Sequence, residues 1–184
     1  WKHTYIDESL LKKKLSSNHK IGIILLVKNP YSFLLSLHKK PYHNPLKKLL
    51  VFEDFIVSDW KTQKRENLDI NKINPVQLWN TKMDNCIEIK KIFNEHVILI
   101  KYEQLVSNPA DVINAISDQF GLIKPDKFKN YKRSTKSVYK DYKYYADYYT
   151  NEKWRNDLNE ESIKKINKYL NFQICKKLGY SVIK

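Results

Sequence analysis

Between residues 21 and 27 the chain reads Ile-Gly-Ile-Ile-Leu-Leu-Val with no polar interruption. A run this short and this rich in β-branched residues predicts a strand buried on both faces of a parallel sheet, ending at Lys28. Asn29-Pro30 then supplies an N-cap and a first-turn proline, and apolar side chains follow over most of the circumference through Lys39. The plan repeats downstream. Val97-Ile98-Leu99-Ile100 leads through Lys101 to Tyr102-Glu103, and Asn108-Pro109 opens a helix bearing Val112, Ile113, Ile116 and Phe120 before Gly121. Two strand–turn–helix units predict an α/β fold.

Helical spacing also marks residues Leu50 to Trp60 and Val76 to Phe93, the latter with Leu78, Trp79, Met83, Ile87 and Ile92 on one broad stripe. A final helix is predicted from its Asn159 cap and first-turn Glu160 and Glu161. It carries Ile163, Ile166, Leu170, Ile174 and Leu178 on one face and stops at Gly179. From Phe128 to Trp154 the pattern dissolves into Lys, Asp and Tyr, which predicts a long surface loop with some local helix. Two strands fall short of the roughly four to six usual in a sheet, so further strands are expected outside the readable pattern.

Composition fits one folded domain over residues 1–184, with 42% hydrophobic and 13% aromatic residues for a core and 29% charged residues for its exterior. No apolar run reaches the roughly 18 residues a membrane span requires. Cys86 and Cys175 are the only cysteines, which excludes a disulfide scaffold or a Cys-rich metal site. The formal charge of +14 points to an anionic ligand, although a lysine-rich coding bias accounts for such an excess equally well. Among 34 basic residues only Arg65, Arg133 and Arg155 are arginines, an unusual ration for a protein that reads nucleic-acid sequence through guanidinium forks. Gly22, Gly121 and Gly179 are the only glycines, and none is left to build a glycine-rich phosphate loop, which argues against a nucleotide kinase.

Ligands of open α/β sheets bind at the carboxyl ends of the strands, where Lys28 and Tyr102 both fall. Lys28 beside a helix N-terminus offers a positive charge and free backbone N–H groups to a phosphate; its other reading is a surface lysine lying along apolar neighbours. Ser32 and Ser36 form a polar stripe on an otherwise apolar helix, either facing such an anion or back-bonding to carbonyls one turn earlier.

These residues resemble the sulfotransferases that use 3′-phosphoadenosine 5′-phosphosulfate (PAPS). The segment VKNPYSFLLSLHKKPYH, residues 27–43, is similar to that family's 3′-phosphate motif, a basic residue closing a strand and a serine eight positions later. ILIKYEQL, residues 98–105, resembles its second strand with a Tyr-Glu pair, while Leu78-Trp79-Asn80 and Leu178-Gly179-Tyr180 resemble structural features. Trp1-Lys2-His3 resembles the stretch that supplies the catalytic histidine. The family usually has arginine where Lys28 stands, which would remove a bidentate fork.

The resemblance implies a three-layer parallel sheet with helices on both faces, the P-loop NTPase-like sulfotransferase fold, incomplete at its N-terminus because nothing matches the family's phosphosulfate-binding loop. It implies transfer of a sulfuryl group from PAPS to a hydroxyl or amine acceptor, carbohydrate or small molecule, without a metal. His3 would be the general base, His43 its substitute, and Lys2 would neutralise developing charge. Lys28 and Ser36 would anchor the 3′-phosphate, Tyr102 would lie near the adenine, and Arg133, Ser134 and Lys136 would add a second phosphate contact. The tyrosines of residues 139–149 would either line the acceptor cleft or pack over the last helix. Expected partners are the nucleotide and the acceptor, with no specific nucleic acid. The expected compartment is the cytoplasm, or the Golgi lumen if a membrane anchor precedes the chain. The competing expectations are a catalytically inactive relative, or a basic protein that binds polyanions or nucleic acid non-enzymatically.

Overall fold

The structure is a computed structural model that describes residues 4–17, 21–68, 72–124, 126–131 and 140–184. The expectations placed on Lys2, His3, Arg133, Ser134 and Lys136 fall outside the described residues. In chain order the described elements are α1 (Glu8–Leu15), β1 (Ile23–Val27), α2 (Pro30–Lys39), the single turn α3 (Phe52–Phe55), α4 (Pro75–Ile92) and β2 (Val97–Lys101). They continue with α5 (Tyr102–Ser107), α6 (Pro109–Phe120), α7 (Tyr142–Thr150), α8 (Glu160–Tyr169) and α9 (Phe172–Lys177).

The architecture is α/β and mostly helical, and among the described residues the sheet has two strands. β1 and β2 run parallel in the register Ile23↔Val97 through Val27↔Lys101. Parallel neighbours require a crossover, which α2, α3 and α4 provide, and α4 lies against both strands. The two faces of β1 are not equally covered. Leu25 and Val27 are buried, whereas Ile24 and Leu26, which alternate with them, are about half exposed, so β1 shows the alternation of a half-covered strand in place of the two-sided burial its composition predicts.

The main core joins α2, α4, α8 and α9. Trp60, Trp79 and Trp154 are essentially removed from water there, each burying roughly 150–250 Å² and contributing at most on the order of 4–6 kcal/mol of transfer free energy. Trp154 stacks on Tyr31 with centroids 6.0 Å apart. A smaller cluster holds α1, a helix the sequence pattern does not announce, through Leu11 against Leu25, Ile89 and Val97.

Two segments depart from the expected elements. Of Leu50 to Trp60 only α3 is α-helical, because the Trp60 amide turns away to donate to the Ile73 carbonyl at 2.6 Å. The local helix expected within the surface loop is α7, capped by Asp141, whose carboxylate accepts from the Tyr144 amide at 2.9 Å. The expected final helix breaks at Leu170, whose backbone is extended, and restarts where Asn171 accepts from the amides of Gln173 and Ile174. Asn80 from α4 bridges that break, donating to the Tyr169 carbonyl at 2.7 Å and accepting from the Asn171 amide at 3.0 Å. A short polar side chain that caps its own turn competes with helix continuation. Gly179, at φ +66, ends α9.

Among the described residues no helix is long and apolar enough to cross a membrane.

Candidate functional site

The turn from β1 into α2 is held on every side. The Trp79 indole N–H donates to the Lys28 carbonyl at 2.9 Å. The Asn29 amide donates to Glu103 Oε1 at 3.0 Å, and the other carboxylate oxygen accepts the Tyr180 hydroxyl at 2.9 Å. Asn29 Oδ1 in turn accepts from the Tyr31 amide at 3.0 Å and, more distantly, from the Ser32 amide at 3.4 Å. Pro30 has no N–H to give, and the Phe33 amide donates to the Asn29 carbonyl. The expectation that this helix start offers free backbone donors to an anion is therefore corrected, because the protein's own acceptors already take those amides. What the turn presents is the Lys28 side chain.

That side chain lies back along α2, which places its Nζ 2.7 Å from Ser36 Oγ. The same ammonium is 3.0 Å from the Tyr149 hydroxyl, and its Nζ stands 4.8 Å from the centroid of the Tyr102 ring. Ser36 also donates to the Ser32 carbonyl at 2.8 Å, and Ser32 to the Asn29 carbonyl at 3.2 Å. Helical back-bonding and contact with Lys28 are thus both present on Ser36, since a hydroxyl donates once and accepts on its remaining lone pairs. Tyr102 starts α5 directly after β2, and Tyr149 meets its ring edge-on at 4.8 Å. Burial first, and then the neighbouring Tyr149, Tyr145 and Glu103, push the Tyr102 phenol well above its usual range, so it stays neutral beside the cation.

A cleft of about 790 Å³ reaches this group, with Lys28, Ser36 and Tyr102 in its wall and Lys39, Lys40 and Lys48 nearby. Among the described residues lining it none is histidine, cysteine or a carboxylate. The cleft can therefore bind an anion through side-chain ammonium and hydroxyl groups, but these residues do not by themselves supply a general base.

The remaining expected site residues are placed elsewhere. His43 is nine-tenths buried, its Nε2 at 2.7 Å from the Lys61 carbonyl and 3.3 Å from Glu66 Oε2. Its Nε2–H is thus committed to holding two segments together, away from the cleft wall. Glu66, itself 1% exposed, also accepts from Lys82 Nζ at 2.7 Å. A second cleft of about 720 Å³, lined by Tyr5, Leu10, Ile23 and Arg65 among others, opens at the start of β1, the end opposite Lys28. Among the described residues no group of three or more His, Cys, Asp or Glu side chains is placed to hold a metal ion.

Sequence reasoning included Tyr149 among six tyrosines between residues 139 and 149 but did not single it out as a partner of Lys28. Its four-residue spacing from Tyr145 puts both on one helical face, but Tyr144 and Tyr148 share that spacing, so it does not single out Tyr149. Compared with known proteins, the chain matches no family model, no curated protein and no solved structure.

Proposed function

We propose that this chain is part of a sulfotransferase that moves a sulfuryl group from PAPS to a hydroxyl or amine acceptor, and that its two strands belong to a larger three-layer sheet of the P-loop NTPase-like kind. The observation that carries this reading is the 2.7 Å contact between Lys28 Nζ and Ser36 Oγ at the carboxyl end of β1, facing a lysine-walled cleft. An ammonium and a hydroxyl at that separation suit the oxygens of a phosphate monoester, and the adjacent Tyr102 ring suits an adenine. Supporting it, Trp79 and Glu103 bond to the turn that presents Lys28, and Tyr180 bonds to Glu103, each of the three in a segment that resembles the family.

When bound, the donor supplies the activated sulfuryl group. Lys28 and Ser36 hold its 3′-phosphate, with Arg133 and Lys136 as the second contact. His3 takes the acceptor proton and Lys2 offsets charge developing on the transferring group. The protein's work is positioning and charge neutralisation, as in phosphoryl transfer.

The test is a thermal-shift titration of the chain with adenosine 3′,5′-bisphosphate against adenosine 5′-monophosphate. At a concentration 100-fold above its Kd the bisphosphate should stabilise by about 2.7 kcal/mol, the monophosphate at the same concentration much less, and Lys28→Ala or Ser36→Ala should erase the difference. Equal responses to the two nucleotides, with tight salt-sensitive binding of heparin or DNA, would replace this reading with that of a general polyanion binder. Transfer of labelled sulfate to an acceptor panel, lost in His3→Ala, tests the chemistry itself.

A further inference from the structure

The geometry points to Tyr149 as a positioning residue for Lys28, a role that rests on the anion-seat reading above. A lysine side chain has a flexible four-carbon stem and gives up much rotamer freedom when fixed. An aimed ammonium therefore needs more than one anchor. Here it has Ser36 on α2 and the Tyr149 hydroxyl on α7, at 2.7 and 3.0 Å, and the two oxygens stand 3.5 Å from each other. Three polar atoms from three separate parts of the chain thus close a triangle.

Both oxygens are themselves fixed. Ser36 is tied to the Ser32 carbonyl. Tyr149 is 8% exposed, meets Tyr102 and Tyr148 edge-on at 4.8 and 5.1 Å, and stacks on Tyr145 at 6.5 Å. Phenylalanine would serve that aromatic cluster equally well. The hydroxyl is the group that packing does not explain, and it meets Lys28 at 3.0 Å, with Ser36 and the Tyr102 hydroxyl also in reach. Tyr149 is absent from the lining of the cleft that Lys28, Ser36 and Tyr102 help to form, so it braces the ammonium from behind while an incoming phosphate approaches from the cleft side. Its effect on a ligand is transmitted through Lys28.

The test is calorimetric titration of wild-type, Tyr149→Phe and Lys28→Ala chains with adenosine 3′,5′-bisphosphate, adenosine 5′-monophosphate and inorganic phosphate. Tyr149→Phe removes one oxygen and keeps the ring. It should raise the bisphosphate Kd about five- to tenfold, the net scale of one ordinary hydrogen bond, and leave the monophosphate Kd unchanged. Damage to the fold would weaken both nucleotides alike, and that result, or an unchanged bisphosphate Kd, overturns the role given to Tyr149. If the wild-type chain binds both nucleotides equally, the PAPS reading fails by itself and inorganic phosphate decides: weaker phosphate binding by Tyr149→Phe keeps the positioning role, and identical binding ends it. A wild-type chain that binds none of the three ends both.

Discussion

The Glu103 carboxylate accepts the Asn29 backbone amide at 3.0 Å, a contact between residues 74 positions apart that fixes the start of α2 to the end of β2. Its second oxygen takes the Tyr180 hydroxyl, so one side chain ties together both strand ends and the C-terminal segment. Removing it leaves two partly or fully buried donors without an acceptor, at about 1–3 kcal/mol each. Glu103→Ala should therefore cost roughly 2–6 kcal/mol in urea denaturation, and Tyr180→Phe about 1 kcal/mol. In the double variant the two losses should not add, because they share one contact. Fully additive losses would show that the carboxylate does not link the segments.

Trp79 connects the core to the candidate site through its indole N–H on the Lys28 carbonyl. Trp79→Phe keeps most of the buried aromatic bulk and removes that donor. We expect a loss of about 1–3 kcal/mol in stability together with weaker binding of adenosine 3′,5′-bisphosphate, read by calorimetry. Stability loss with unaltered nucleotide affinity would separate Trp79 from the site.

Glu66 and Lys82 form an ion pair at 2.7 Å with side chains 1% and 10% exposed. Burial holds the Lys82 ammonium below its usual pKa, while the Glu66 hydrogen bond and charge oppose that shift. Lys82→Met strands a carboxylate in the interior and should cost about 3–5 kcal/mol. Adding Glu66→Leu to it should restore part of that loss, since desolvating the pair consumes much of its attraction. A double variant less stable than Lys82→Met would contradict this.

Stability should also fall in alkali. Burial pushes the phenols of Tyr31 and Tyr42 up to about 12 and those of Tyr102, Tyr148 and Tyr180 higher still. It also raises the Cys86 and Cys175 thiols to about 11. The folded chain thus keeps protons that the unfolded chain releases. The stability these groups contribute is complete below their ordinary values, near 9 for the thiols and 10 for the phenols, and is lost as pH rises through the folded ones. The urea midpoint should decline from about pH 9 toward pH 12, with tyrosinate absorbance rising as the chain unfolds, and Tyr42→Phe should flatten part of that decline. A midpoint independent of pH over this range would refute the argument.

How far the sequence reaches is visible in particular residues. The core of β1, the Asn29-Pro30 start of α2, the length of α4 and the Gly179 stop are local features, set by hydrophobic period and backbone preference within a few residues. The break at Asn171 was legible in principle, since asparagine caps helices, but apolar periodicity runs straight through it and masks the interruption. The uncovered side of β1 was not legible, because a continuous apolar run does not record which neighbours are present.

Spacing alone set Lys28 and Ser36 on adjoining elements, a strand end and the second turn of the helix that follows, where a long side chain can reach. Nothing local singled out Tyr149 among its neighbouring tyrosines, or matched Glu103 to Asn29 and Tyr180, or Glu66 to Lys82. Those partners are separated by 16 to 121 positions, and their meeting depends on how helices dock once the apolar faces are buried. Periodicity dictates which face of an element turns inward; only the assembled interior, where an unpaired polar atom is costly, decides which distant side chain it finds there.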